Sequence, residues 1–203
     1  MNRLILLLAT TFATVLAVGL WIPFKALVAQ ELLELAWAES QARQQETRPW
    51  PWADTWPVAR LMVPETGQSL IVLDGVHGES LAFGPGQVVG NDGRAGPVVI
   101  AGHRDTHFRG LQHLETGSRV KLQDRDGDWR SFRVDRIRIV DSRHEQINTA
   151  QLPRDSLLLV TCYPFDGLEN NGPLRYVVEA TAESLVTANK ADNALAREAV
   201  AGT

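Results

Sequence analysis

Three side-chain types able to carry covalent chemistry at a carbonyl each sit at the end of an apolar run. Cys162 closes "LLLVTC" and is the single cysteine in the chain. His103 follows "VVIAG", and Arg175 stands at the start of "LRYVVEA". A free thiol, with a pKa of about 8.5, is only slightly ionised at neutral pH and needs help to act as a nucleophile. An imidazole supplies that help by stabilising the thiolate or by taking the thiol proton, and it can later protonate a leaving amine. A guanidinium stays charged and donates hydrogen bonds to the oxyanion of a tetrahedral intermediate. Together the three suit acyl transfer from a peptide carbonyl through a thioester.

These groups are useful only if rigid elements hold them, and strand termini do that. Pro164 and Gly167 stop the Cys162 strand, and Gly102 stops the run from Val98 to Ala101 that delivers His103. If the strand ending at Cys162 pairs antiparallel with the one starting at Leu174, Cys162 and Arg175 flank the same barrel mouth. Thr161, beside Cys162, and Asp105, two residues beyond His103, are candidates for supporting the three.

From Val58 onward the chain reads as short strands and turns: "VARLMVP", "SLIVLDG", "GPVVIAGH", "SRVKLQD", "WRSFRVDRIRIVD", "SLLLVTCY" and "LRYVVEATAE". Each is rich in β-branched residues and bounded by Gly, Pro, Asp or Asn, the pattern of a closed or nearly closed all-β barrel. Little helix is expected between them beyond a turn at Thr106 to Leu114. In "FRVDRIRIV" the apolar parity switches between Val134 and Ile137, which predicts a bulge near Asp135–Arg136.

The amino terminus differs in kind. Leu4 to Ile22 carries no charge, and about 19 residues at 1.5 Å each match a bilayer core. Arg3 before it favours a cytoplasmic amino terminus. The apolar run is longer than a signal-peptide core, and no small-x-small cleavage site follows closely, so an uncleaved anchor is expected. Ala26 to Glu46 carries good helix formers without Gly or Pro, with Val28, Leu32 and Leu35 in a partial apolar stripe that Glu39 interrupts. It reads as a stalk helix, ended by Pro49, Pro51 and Pro57. Trp50, Trp52 and Trp56 can sit at the membrane interface or pack on the domain, and packing is expected, since three exposed tryptophans would form a large apolar patch. The organisation is an anchor at 1–25, stalk and linker at 26–57, a barrel at 58–184 and an Ala-rich polar tail at 185–203.

With 44% hydrophobic and 22% charged residues the chain is globular, and a net charge of −4 gives no reason to expect nucleic-acid binding. The arginines from Arg119 to Arg143 alternate with Val, Ile and Asp, as on a solvated sheet face.

"VVIAGHRDTHF", "LLLVTCYPF" and "GPLRYVV" resemble the histidine, cysteine and arginine motifs of sortases, the membrane-anchored cysteine transpeptidases. "WPVARLMVP", "LAFGPG" and "LETGSRVKL" fit the same pattern, so the resemblance spans Trp56 to Ala180. The TCYPF and GPLRY forms are most similar to the class found in Gram-negative bacteria. The resemblance implies an eight-stranded sortase barrel with short helices, and catalytic roles for His103, Cys162 and Arg175. It also implies a protein substrate with an LPxTG-like sorting signal, an amine acceptor, and an inner-membrane location with the domain on the periplasmic side. No acidic cluster matches the calcium site of some sortases, so neither metal nor cofactor is expected. The loop Pro164 to Leu174 is a candidate for shaping substrate access.

Plainer readings stand beside these. A lone cysteine is commonly a small core hydrophobe. Arg175 can pair with Asp166 or Glu169, His103 can be structural, and Asp105 can orient His103 or Arg104 or cap the next turn. His103 and His107 share the spacing of a helical zinc pair, but no Glu follows the first and no third ligand stands out. His77, His113 and His144 fall in polar turns. Competing functions are a different extracytoplasmic thiol peptidase or cell-wall transpeptidase, a metal hydrolase on His103 and His107, and a non-catalytic anchored barrel that binds a partner.

Overall fold

The structure is a computed structural model that describes residues 2–90, 96–167 and 172–183. The expected tail at 185–203 lies outside them. Eight strands close into a barrel: β1 (Pro57–Val63), β2 (Gln68–Asp74), β3 (Gly86–Val89), β4 (Val98–Ala101), β5 (Arg119–Gln123), β6 (Trp129–Asp141), β7 (Ser156–Cys162) and β8 (Leu174–Ala182). Around the barrel the order is β1-β2-β3-β4-β7-β8-β6-β5. Two contacts are parallel, β2 with β3 and β4 with β7, and the others are antiparallel.

Side-chain alternation explains the closure. In β1 every second residue is buried, from Pro57 to Val63, and β5 alternates likewise through Val120 and Leu122. These inward residues meet Val72, Ile100, Phe132, Val134, Leu157, Leu159 and Val178 in one core. β7 departs from alternation because it is covered on both faces. Its outward Leu158 joins Val99, Val140 and Val177 in a second cluster beneath Ile147 and Leu152. In β6 the pairing with β8 slips between Val134 and Arg136, the bulge that the parity switch anticipates. The outer arginines find carboxylates: Arg133 pairs with Glu183, while Arg136 and Arg138 share Glu179.

One strand and one helix lie beyond the sequence expectations. β3 is only four residues long and begins at a glycine whose added Cβ would sit 2.0 Å from the Gly75 carbonyl oxygen. Close approach of two backbones, not β propensity, makes this strand. A short helix, α2 (Gly78–Phe83), crosses between β2 and β3. Turns of 3-10 helix cover Pro64–Thr66, Arg109–His113 and Thr149–Gln151.

The apolar amino-terminal segment and the stalk form one continuous helix, α1 (Asn2–Arg43). Among the described residues it is the helix long and apolar enough to cross a membrane, by length and composition. Leu4, Phe12, Leu16 and Phe24 are exposed along its first half. The second half lies against the barrel. Its packed face is Ala29, Leu33, Ala36, Trp37 and Ser40, whereas Val28 and Leu35 of the expected stripe are exposed. The physical reason is area: Trp37 offers the largest apolar surface, and Ala29 and Ala36 let the helix approach closely enough to bury it. Leu33 and Trp37 cluster with Ile71 and Leu73, with Phe83 at their edge. Gln30 Nε2 donates to the Phe83 carbonyl at 2.8 Å, and Arg60 pairs with Glu34.

The tryptophans divide. Trp50 meets Phe83 edge-on at 4.9 Å, and Trp56 is half-buried. Trp52, expected to pack, is 82% exposed. It lies on the linker beside Trp21 and Phe24 of α1, all lining one groove.

Candidate active site

The site is built from the parallel pairing of β4 and β7 and the antiparallel pairing of β7 and β8. Ala101 lies opposite Val160, and the ladder runs one step further, where the Gly102 amide donates to the Val160 carbonyl at 3.1 Å. The Thr161 hydroxyl donates to the Gly102 carbonyl at 2.8 Å. His103 and Cys162 are the next residues on the two chains, so the ends carrying imidazole and sulfur run side by side. On the other flank Cys162 is directly opposite Arg175, and the Tyr163 amide donates to the Leu174 carbonyl at 3.1 Å. Directly opposed residues present their side chains on one face, with Cβ atoms about 4.5–5.5 Å apart.

That face is the outer one. Leu158 and Val160 of β7, Val99 of β4 and Val177 of β8 belong to the outer cluster. Stepping by two along β7 and β8 carries the same face to Cys162 and Arg175. The expected location at the barrel mouth is therefore corrected: the groups meet at strand ends on the outside of the wall, because β7 buries inward residues up to Thr161. Cys162 is half-buried, Arg175 is half-buried and His103 is exposed. The Arg175 Nη1 donates to the carbonyls of Gly172 and Leu174, at 2.6 and 2.9 Å.

Gly102 gives His103 its approach. A Cβ there would come within 2.9 Å of the ring of Phe108, which is itself buried. The Phe108 amide in turn donates to the His103 carbonyl at 3.0 Å, closing the loop after β4 into a turn.

Asp105 resolves among its three readings in favour of Arg104: Nε donates to Oδ1 at 2.7 Å and Nη2 to Oδ2 at 3.2 Å. The Arg104 hydrogen bond and charge, with help from Arg109 and His103, hold the Asp105 carboxyl below the usual carboxylate range against its desolvation. Arg104 itself is buried, and its pKa is raised, first by the Asp105 hydrogen bond, against the desolvation that burial brings, and then by the charges of Asp105 and Asp166. This buried cation is the feature that sequence reading passes over. An arginine beside an exposed histidine in a polar loop looks solvated, and only the turn it packs against says otherwise. His107 is half-buried. Burial, and then the nearby charge of His103, pushes its imidazole towards the neutral form, opposed by a hydrogen bond to the Phe83 backbone. Its ring Nδ1 lies 3.2 Å from the Thr106 hydroxyl.

Next to Cys162 in the chain, Tyr163 stacks on Tyr176, and Phe165 meets both rings edge-on, 5.0 Å from Tyr176 between centroids. Part of the expected access loop, 168–171, lies outside the described residues.

Comparison with known proteins identifies the family of the barrel. The Sortase domain model matches residues 61–183. Sortase D of Bacillus subtilis (strain 168) is 32% identical over 120 residues, 58% of this chain and 60% of that relative's own length. Among solved structures, a Clostridium perfringens Sortase D5 transpeptidase superposes with a TM-score of 0.56 at 19% identity, covering 77% of this chain and 99% of that one. Sortase A from Corynebacterium diphtheriae gives 0.56 at 18% identity, covering 77% and 85%. At such identities the structures establish the barrel fold, and the family match over most of the domain establishes more: the chain belongs to the sortase family.

Proposed function

We propose that this chain is a membrane-anchored cysteine transpeptidase that cleaves an LPxTG-like sorting signal and passes the acyl group to an amine. One observation carries the reading: Cys162 is flanked on one side by the His103 strand end and on the other by Arg175, its direct ladder partner. In this reading His103 takes the Cys162 proton as sulfur attacks the carbonyl carbon of the scissile bond. Arg175 donates to the oxyanion. Collapse breaks the C–N bond, the leaving amine takes the proton from His103, and a thioester remains on Cys162. An incoming amine gives a proton to His103 and attacks the thioester. The second collapse forms the new amide and returns the thiol. Thr161 and Asp105 support the three groups without touching substrate.

The apolar half of α1 serves as a single-pass anchor at 1–25, the packed half and linker as the stalk at 26–57, and 58–184 as the catalytic barrel. Arg3 ahead of the apolar run supports a cytoplasmic amino terminus. The TCYPF and GPLRY forms support the Gram-negative class, with the barrel in the periplasm of that cell type. The partners are then a protein bearing a carboxy-terminal sorting signal and an amine of the cell envelope or of a second protein.

The test offers LPxTG-like peptides and a simple amine to intact spheroplasts carrying the full chain, with products read by mass. Wild type is expected to give the amide product, and Cys162→Ala neither cleavage nor a thioester. Cleavage retained by Cys162→Ala would sink the nucleophile assignment. Hydrolysis without amine adduct would replace transpeptidase by thiol peptidase. Activity appearing only after lysis would reverse the orientation.

A further inference from the structure

A buried guanidinium is costly unless its donors are satisfied, so the partners of Arg104 indicate what it is for. Arg104 is 4% exposed. Its Nη1 donates to the Pro164 carbonyl at 2.6 Å and its Nη2 to the Gly167 carbonyl at 2.8 Å. The opposite edge of the fork is held by the Asp105 carboxylate at 2.7 Å. Arg104 directly follows His103, and Pro164 is the second residue after Cys162. The guanidinium is thus a rigid bar between the chain just past the imidazole and the turn just past the sulfur. That turn is closed by the Gly167 amide, which donates a hydrogen bond to the Pro164 carbonyl at 3.3 Å, and Phe165 within it packs on Tyr176, the neighbour of Arg175. A Cβ on Gly167 would lie 3.3 Å from Arg104 Nη1, so the turn sits tightly on the fork.

We propose that Arg104 is a positioning residue: it clamps the turn Pro164–Gly167 to the His103 loop and thereby sets the sulfur and the imidazole relative to each other. This rests on the reading of Cys162 as nucleophile and His103 as its base, and adds a residue that acts through the backbone carbonyls of the turn beyond the sulfur. A planar fork suits two backbone carbonyls and a carboxylate at once, whereas an ammonium reaches them only singly.

The experiment compares wild type, Arg104→Met and Arg104→Lys as full chains in nanodiscs. The readouts are kcat and KM for a sorting peptide plus amine, and hydrogen exchange of the Phe165–Gly167 amides. Arg104→Met is expected to lose about 10²-fold in kcat, the scale of an ångström of misplacement, with KM held within about twofold. The three amides should exchange faster, and Arg104→Lys should recover part of both losses. Unchanged kcat in Arg104→Met, unchanged exchange, or a raised KM at constant kcat would each overturn the proposal. If Arg104→Met does not fold, Arg104→Lys decides, and wild-type kcat and exchange in it overturn the clamp. Cys162→Ala is run alongside. Turnover surviving in it defeats the catalytic reading, while the exchange rates still judge the clamp separately.

Discussion

Thr161→Val isolates the link between the two strand ends. Thr161 is 3% exposed, and its hydroxyl donates to the Gly102 carbonyl at 2.8 Å, across the gap between the chain entering Cys162 and the chain entering His103. Valine keeps the shape and removes the donor. A net hydrogen bond is worth about 1 kcal/mol, and the half-buried Gly102 carbonyl left unpaired falls at the low end of the roughly 1–3 kcal/mol that an unpaired buried group costs. The methyl that replaces the hydroxyl returns part of this, up to about 0.8 kcal/mol. A net loss of about 1 kcal/mol is expected, hence a Tm lower by roughly 2–4 °C for a chain of this size. With a domain stability of about 5–15 kcal/mol, almost all molecules stay folded at 25 °C. Any fall in kcat is then local to the site. Loss of the tether lets the two ends drift by a fraction of an ångström, and kcat should fall about tenfold with KM little changed. Thr161→Ser keeps the donor and loses a methyl, so it should lower Tm while sparing kcat. Steady-state transpeptidation and differential scanning calorimetry on the three proteins decide. Thr161→Val with wild-type Tm would mean the bond contributes nothing. Lowered Tm with unchanged kcat would mean the tether is structural and leaves the catalytic pair indifferent.

Two further perturbations test the frame around the site. Trp37 is 1% exposed and packs with Leu33, Ile71 and Leu73, so Trp37→Ala should cost about 3–5 kcal/mol; a barrel melting within 2 °C of wild type (roughly half a kcal/mol) would show that α1 does not seat there. Asp124, at the β5–β6 turn, is buried, which pushes its carboxyl pKa up, with Asp126 and Asp128 adding to the rise and the Asp128 amide opposing it. A carboxyl raised in the folded state contributes stability at low pH that is lost as pH climbs past its ordinary range. Asp124→Asn keeps an acceptor for the Asp128 amide, so it should stabilise the chain at pH 7 and lose that advantage below about pH 4. Denaturant melts at the two pH values read the difference, and an equal effect at both would contradict the assignment.

The parts of the fold legible in the sequence are those whose burial is one-sided or local. β1 and β5 alternate because one face meets the core, and alternation survives in the residue string. The slip in β6 is legible because a bulge must shift apolar parity, and Val134 and Ile137 record the shift. β3 is not, because its existence depends on Gly86 passing within contact distance of Gly75, a fact about two segments and not about either one. The helix face of α1 is hidden for a related reason. Val28, Leu32 and Leu35 satisfy helical spacing as well as Leu33 and Trp37 do, and only the sheet beneath decides which stripe is buried.

The site divides along the same line. Cys162 and Arg175 are legible as partners because adjacent antiparallel strands separated by a loop bring end against start, and their register obeys. His103 arrives through a parallel contact between strands far apart in sequence, which residue types at strand ends suggest but which no spacing encodes. Which side of the wall they share follows from burial: β7 is apolar on both faces, so its last inward residue had to be found before Cys162 could be assigned outward. Arg104 is the extreme case. Its burial is dictated by carbonyls of Pro164 and Gly167, sixty or so residues away. A turn that exposes carbonyls towards the interior must find donors, and an arginine able to satisfy two of them while leaning on its own neighbour Asp105 meets that demand. The demand belongs to the turn, so reading the residues around His103 alone could not reveal it.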